Sequence, residues 1–275
     1  MRKNVATIIL NRNLPIITDK LYNKLKKHNS SFSDFFIVEA GSDKSKLSKH
    51  YTWHATWKAA KKNGLRFARG MNYALSKLYL EGKFAKYDFF LLLTNDTVFK
   101  DYKIIKKLIK HFAKHPKLGI ISPCSKSWGE YQILKKDKIK YFWFIHTNAI
   151  MIRKDFIKDV MNLSAPGFLN FFFDGRNFRG HGIESEIIAK AYINNWSAAI
   201  TSDVIFDHDQ QYLINNFEQI KTENYNKNLA LYIEEGAKWM KKKYGFSSKW
   251  AMQMYVKNFY DNFFITNPEL NKYKI

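Results

Sequence analysis

Apolar residues along this chain fall into short unbroken runs, separated by longer stretches in which they recur every three or four positions. Val5–Leu10 (VATIIL) is a continuous, partly β-branched run that stops at Asn11-Arg12-Asn13, which predicts a buried strand and a turn. The same pattern predicts strands at Phe35–Glu39 and Tyr87–Leu93, stopped by Ala40-Gly41-Ser42-Asp43 and Thr94-Asn95-Asp96, and a fourth at Leu118–Ser122. Residues 16–28 and 68–80 are helical in composition. Over Lys100–Lys114 the stripe Ile104, Ile105, Leu108, Ile109 and Phe112 faces away from Lys103, Lys106, Lys107, Lys110 and Lys114, an amphipathic helix. Beyond residue 122 the pattern loosens. Tyr141–Ile152 is apolar-rich, Glu184–Asn194 reads as a helix and Ser197–Phe206 as another strand. From about Gln210 the chain is basic, aromatic and helical.

Apolar strands alternating with helices predict an α/β protein with a parallel sheet covered on both faces. In such sheets ligands bind beyond the carboxyl ends of the strands. Those ends here are small and polar, which suits a nucleotide cleft.

Composition narrows the classes. The chain has 275 residues, 46% hydrophobic and 17% aromatic, enough for a sizeable core and unlike a disordered chain. One cysteine, Cys124, excludes an internal disulfide framework and a CxxC-type metal or redox site. The longest uncharged stretch, Val160–Phe173, is shorter than the ~20 apolar residues a spanning helix needs. The opening MRKNVATIILNRN does not read as a secretory signal. A cytoplasmic protein is expected, with peripheral contact at the inner face of a membrane as one option. The formal net charge of +22 favours polyanionic partners, nucleic acid, nucleotide phosphates or an anionic membrane. Lysines dispersed over every solvated face of a lysine-rich chain would give the same number. The segments Trp239–Tyr244 and Lys249–Phe264 interleave lysines with aromatics, which suits either an anionic membrane surface or helices packed on the main domain.

Asp96 ends a buried strand in Asn95-Asp96-Thr97. A carboxylate there can hold a hard divalent cation; taken alone, it equally suits a turn residue capping the next helix. The context carries more. Residues 63–72 read NGLRFARGMN, followed by a helix, the strand and turn YDFFLLLTNDTVF, and an amphipathic helix ending HPKLGIISP. Further on come GHGIESEIIAKAYINNW, IFDH and, after a basic helix, YGF at 244–246. This succession resembles the family 2 glycosyltransferases of the rhamnosyltransferase-like group over residues 4–210, with an echo to 246. IVEAGSDKS resembles that family's aspartate-containing turn. Glu39, Glu184 and Glu186 stand where the family usually has Asp, and Arg66 and Arg69 where it tends to have small residues.

The resemblance implies a single Rossmann-like nucleotide-sugar-binding domain of the glycosyltransferase A-type over residues 1–210, with a helical C-terminal extension, 211–275, packed on it. It implies an inverting, metal-dependent transfer of sugar from a nucleotide-sugar donor to a hydroxyl of a saccharide or lipid-linked saccharide. Asp96 and His208 would hold Mn²⁺ or Mg²⁺, the imidazole leaning to Mn²⁺. Glu39 and Asp43 would contact base and ribose. Asn11 and Asn95 would line the cleft, Arg66 and Arg69 would meet the diphosphate, and Asn72 would hold the loop. His181 lies in an RGHGIE loop able to close over donor or acceptor. Glu184 and Glu186, two apart on a helix, project about 200° from each other. Glu184 shares the face of Ile187 and Ile188 and is expected to be the base; Glu186, four before Lys190, is expected in a surface ion pair. Two other functions remain open: transfer to a nucleic-acid acceptor such as a modified base, and non-catalytic nucleic-acid binding.

Overall fold

In the computed structural model, which describes residues 3–134 and 137–275, the first apolar run becomes the middle of the sheet. The amino-terminal half comprises β1 (Val5–Asn11), α1 (Pro15–Asn29), β2 (Ser33–Glu39), β3 (Trp53–His54), α2 (Lys58–Asn63), α3 (Arg66–Leu80), β4 (Phe89–Thr94), β5 (Thr97–Phe99) and α4 (Ile105–Lys114). Then follow β6 (Leu118–Cys124), α5 (Gly129–Leu134), β7 (Ile139–Tyr141), β8 (Ala149–Arg153), α6 (Lys154–Val160), α7 (Ile183–Ile193) and β9 (Ser197–His208). Four α-helices follow, α8 (Gln210–Asn215), α9 (Phe217–Ile220), α10 (Tyr225–Tyr244) and α11 (Lys249–Thr266), and then a 3-10 turn over Pro268–Tyr273.

Among the described residues the strand order is β3-β2-β1-β4-β8-β6-β9-β5, with β7 also on β9. β2, β1 and β4 are parallel, Val5 lying opposite both Ser33 and Phe89. The sheet as a whole is mixed, which departs from the all-parallel expectation. β8 enters antiparallel between β4 and β6, and β5 and β7 run antiparallel to β9. An apolar run marks a buried strand but carries no direction, so Tyr141–Ile152 could not reveal this.

The strands bury both faces: Ile8, Ile9, Leu91, Leu92, Ile120, Ile150 and Ile152 are all fully inaccessible. Each such side chain contributes roughly 2 kcal/mol relative to exposure. Pro15 starts α1, its fixed φ and missing N–H suiting a first helical turn. Gly70 lets α3 approach β1, since a Cβ there would lie 2.3 Å from a Leu10 methyl. The predicted stripe of α4 is inward, with Ile104, Ile105, Leu108 and Phe112 buried. α11 packs on α7 through Tyr260 and Phe263, both ring-to-edge against Tyr192. Among the described residues, no helix is long and apolar enough to cross a membrane.

Candidate functional site

The parallel pairing of β1 and β4 brings Asn11 and the Asn95-Asp96 turn together beyond the carboxyl edge of the sheet. Side-chain hydrogen bonds fix them there. Asn95 Nδ2 donates to Asn11 Oδ1 at 3.0 Å and to Thr18 Oγ1 at 3.1 Å. Asn11 Nδ2 donates to both oxygens of Glu39 at 3.0 Å, and Glu39 also accepts from Ser42 Oγ at 2.5 Å and the Ser48 amide at 2.7 Å. Glu39 is thus fully buried with its oxygens engaged. In place of the expected contact with a base, Glu39 anchors Asn11 beneath the site.

Above this floor is a cavity of about 340 Å³, with Asn11, Arg12, Arg66, Asp96, Asn148 and Glu223 among its polar lining. Its roof is apolar and comes from α8 and α9, through Leu213, Ile214, Phe217 and Ile220. The roof is latched to the strand ends. Asn13 Nδ2 donates to the Gln219 carbonyl and Gln219 Nε2 to the Asn13 carbonyl, each at 2.8 Å, while Lys221 pairs with Asp43 at 2.6 Å. Asp43 therefore holds the roof and does not line the cavity, a correction to its expected ribose contact.

Asp96 is 4% exposed, and its Oδ1 has no hydrogen-bond partner. Burial pushes its carboxyl up from the usual range, with Thr94 and then His208 pulling weakly the other way. His208 lies directly across from Thr97 in the β5–β9 ladder. No set of three metal-ligating side chains occurs among the described residues. A buried carboxylate oxygen without a partner, open to a polar cavity and near an imidazole, fits a divalent cation completed by ligand or water oxygens.

Arg66 opens α3 at φ +53°, a left-handed conformation costing an arginine on the order of 1 kcal/mol. From there it donates to Thr222 Oγ1 at 2.6 Å and Asn228 Oδ1 at 3.1 Å. Burial, and then repulsion from Arg179, lower its guanidinium to about 10. Arg69 does not reach the cavity. Its Nε donates to the Gly175 carbonyl at 2.6 Å and its guanidinium lies 4.6 Å from the Phe178 ring, so it braces a loop. Asn72 likewise holds a loop, accepting from the amides of Phe172 and Phe173 and donating to the carbonyls of Phe168 and Phe173.

Glu184 and Glu186 lie outside this cavity, and both are buried, at 6% and 3% exposure. Glu186 makes the expected pair with Lys190 at 3.1 Å, but not on a solvated surface. Its Oε1 also meets Lys243 Nζ at 2.8 Å, and Lys243 reaches Asp174 at 2.6 Å. α10 and α11 cover the face of α7 that its own sequence left polar. Glu184 meets Lys249 Nζ at 2.5 Å, at an angle that makes an ion contact without a hydrogen bond. Glu184 is the last residue of the RGHGIE segment. His181 is pinned by α10, edge-on to Tyr232 and so close to Gly236 that a Cβ there would lie 2.4 Å from the histidine's.

Sequence reasoning did not assign Arg12, Asn148, Arg179 or Glu223 to the site. Arg12 carried a signal, being next to Asn11 at a strand end. Glu223 and Arg179 carried none, since they meet across 44 positions of sequence.

No family model matches the chain, and no curated protein matches it. In fold it is similar to the mannosyltransferase PcManGT from Pyrobaculum calidifontis, solved in complex with GDP-Man and Mn²⁺: 11% identity, 86% of this chain and 69% of that one, TM-score 0.51. It is also similar to residues 1–349 of TarS from S. aureus: 13% identity, 87% and 73% coverage, TM-score 0.51. A third likeness is to GalNAc-T7, solved with UDP, GalNAc and Mn²⁺: 9% identity, 74% and 43% coverage, TM-score 0.54. The chain has the glycosyltransferase A-type fold, with helices added after the sheet.

Proposed function

We propose that this chain is a metal-dependent, inverting glycosyltransferase that moves a sugar from a nucleotide-sugar donor to a hydroxyl of a saccharide or lipid-linked saccharide. The observation that carries the reading is Asp96: a buried, unpartnered carboxylate oxygen opening into an arginine-lined cavity at the carboxyl ends of β1 and β4. A binding module gains nothing from burying such a charge, whereas a diphosphate site needs an anion there to seat a cation.

Asp96 and His208 are the residues to hold Mn²⁺ or Mg²⁺; PcManGT and GalNAc-T7 were each solved with Mn²⁺. When bound, the cation neutralises charge building on the leaving diphosphate. Arg66 meets the same phosphates from the cavity wall. Glu184 takes the proton of the attacking hydroxyl, so that the acceptor oxygen bonds to the anomeric carbon as the nucleoside diphosphate leaves. Asn11 and Asn95 fix the floor. Division at residue 210 into catalytic domain and extension belongs to this proposal, with the extension supplying the roof of the donor site. The deciding experiment is a screen of nucleotide sugars with Mn²⁺ or Mg²⁺, reading released nucleoside diphosphate. Metal-dependent release from at least one donor is expected; none from any donor with either cation would refute the reading.

The net charge of +22 favours a second acceptor class, nucleic acid. On the saccharide reading, a defined DNA duplex binds weakly at low salt and is lost by about 200 mM, as generic counterion release requires. Modification-selective binding that survives that salt would promote the nucleic-acid acceptor instead.

A further inference from the structure

Two arginines from separate parts of the chain converge on the carboxylate of Glu223, and a third lines the same cavity. Arg179, only 7% exposed at its side chain, contacts Glu223 Oε1 through Nη2 at 2.8 Å, and Arg66 Nη2 lies 3.6 Å from Glu223 Oε2. Arg12 lines the same cavity and donates to the Lys61 and Lys62 carbonyls; burial acts against its charge, while Asp43 and then Glu223 attract it. Asn228 Oδ1 ties the first two together, accepting from Arg179 at 2.8 Å and Arg66 at 3.1 Å. The only other carboxylate bonded to this group is Glu235, at 3.1 Å from Arg179 Nε, among the described residues. Arg66 and Arg179 thus share two anions, and Arg12 is drawn first to Asp43, which Lys221 already pairs.

The match is incomplete. The Nε donors of both Arg12 and Arg66 are buried with no partner, so the cradle has more donors than Glu223 satisfies. Guanidinium groups packed this closely repel unless an anion lies between them. Burial acts against the Glu223 carboxyl, yet its own backbone and the Arg179 contacts hold it at about 2. Glu223 occupies the non-helical link between α9 and α10, directly after the roof that Asn13 and Asp43 latch down. A diphosphate carries more charge and more acceptor oxygens than one carboxylate, and its oxygens can be met in pairs by the planar arginine fork.

We propose that the Arg12–Arg66–Arg179 cradle is the seat of the donor's diphosphate, and that Glu223 is its tethered stand-in, displaced when the donor binds. Residues 210–224 then form a roof that the donor lifts, and the same carboxylate returns to the arginines after the nucleoside diphosphate leaves. The proposal rests on the nucleotide-sugar reading above and adds a competitor built into the chain. An occupied site lowers apparent affinity by the fraction of molecules in the open state.

The test is calorimetric binding of inorganic pyrophosphate, UDP and GDP, with and without Mn²⁺, to the parent, to Glu223→Gln and to Arg179→Ala. Glu223→Gln keeps the shape and the Thr222 contact, and is expected to bind the preferred nucleotide and pyrophosphate about tenfold more tightly. Arg179→Ala is expected to weaken both; if it does not fold, Glu223→Gln alone decides. A diphosphate ligand that binds parent and Glu223→Gln equally, or binds the variant more weakly, overturns the stand-in while leaving the nucleotide-sugar reading intact. If neither protein binds any of the three ligands, both ideas fall.

Discussion

Glu184→Gln is expected to lower turnover at least about a hundredfold, the usual contribution of a general base, with nucleotide affinity nearly unchanged. Glu184 lies in the first turn of α7, with Lys249 Nζ 2.5 Å away. Glu186→Gln is expected to behave differently. Glu186 Oε1 seats both Lys190 and Lys243, and Lys243 fastens the end of α10 to α7 and to Asp174. Both lysines are about a third exposed and can regain water, so the substitution should lower stability by about 1–2 kcal/mol and turnover only slightly. Steady-state rates and thermal melts on the two variants, side by side, separate the roles. The reverse order of effects would refute the assignment, and two mild effects on rate would place the base elsewhere.

Asp96→Asn should abolish metal-dependent binding of nucleoside diphosphate and, without metal, make the protein more stable. The two effects have one cause. The folded carboxyl titrates above its unfolded value because burial penalises the charge. Between those two values the folded state binds more protons than the unfolded one, so stability falls as pH rises through that window, and the loss is complete above it. Above that window the parent carries the whole of this penalty, and asparagine, of the same shape, removes it. A gain of roughly 1 kcal/mol is expected, since the amide still needs partners. Calorimetry of nucleotide with Mn²⁺ and metal-free thermal melts check the pair of effects. A variant that binds as tightly as the parent would mean that Asp96 only shapes its turn.

How much of this was legible in the sequence depends on where the determining contact lies. β1, β2, β4 and β6, and the polar turns after the first three, follow from local runs and their stops, and the fold class follows from their alternation with helices. The antiparallel entry of β8 was hidden because direction leaves no trace in an apolar run. Glu39 was misread for a similar reason: its position at a strand end was right, but Asn11, Ser42 and Ser48 claim its oxygens before a ligand can. Glu186 looked solvated because α7 alone cannot report that α10 and α11 will cover it. Asp43 and Arg69 were given to the ligand for want of their true partners, Lys221 and Gly175, which lie far along the chain.

The insertion of β8 between β4 and β6 has a consequence for how the protein is made. As the chain leaves the ribosome, β1, β2 and β4 can pair at once, but one side of Phe89–Thr94 stays open until Ala149–Arg153 has been synthesised. That open side is an uncharged FFLLLT edge with free amides and carbonyls, the kind of template on which nascent or truncated chains join one another. Fragments ending before Ala149 are therefore expected to aggregate, and a split or truncated form that keeps β8 on the same piece as β4 is expected to stay dispersed.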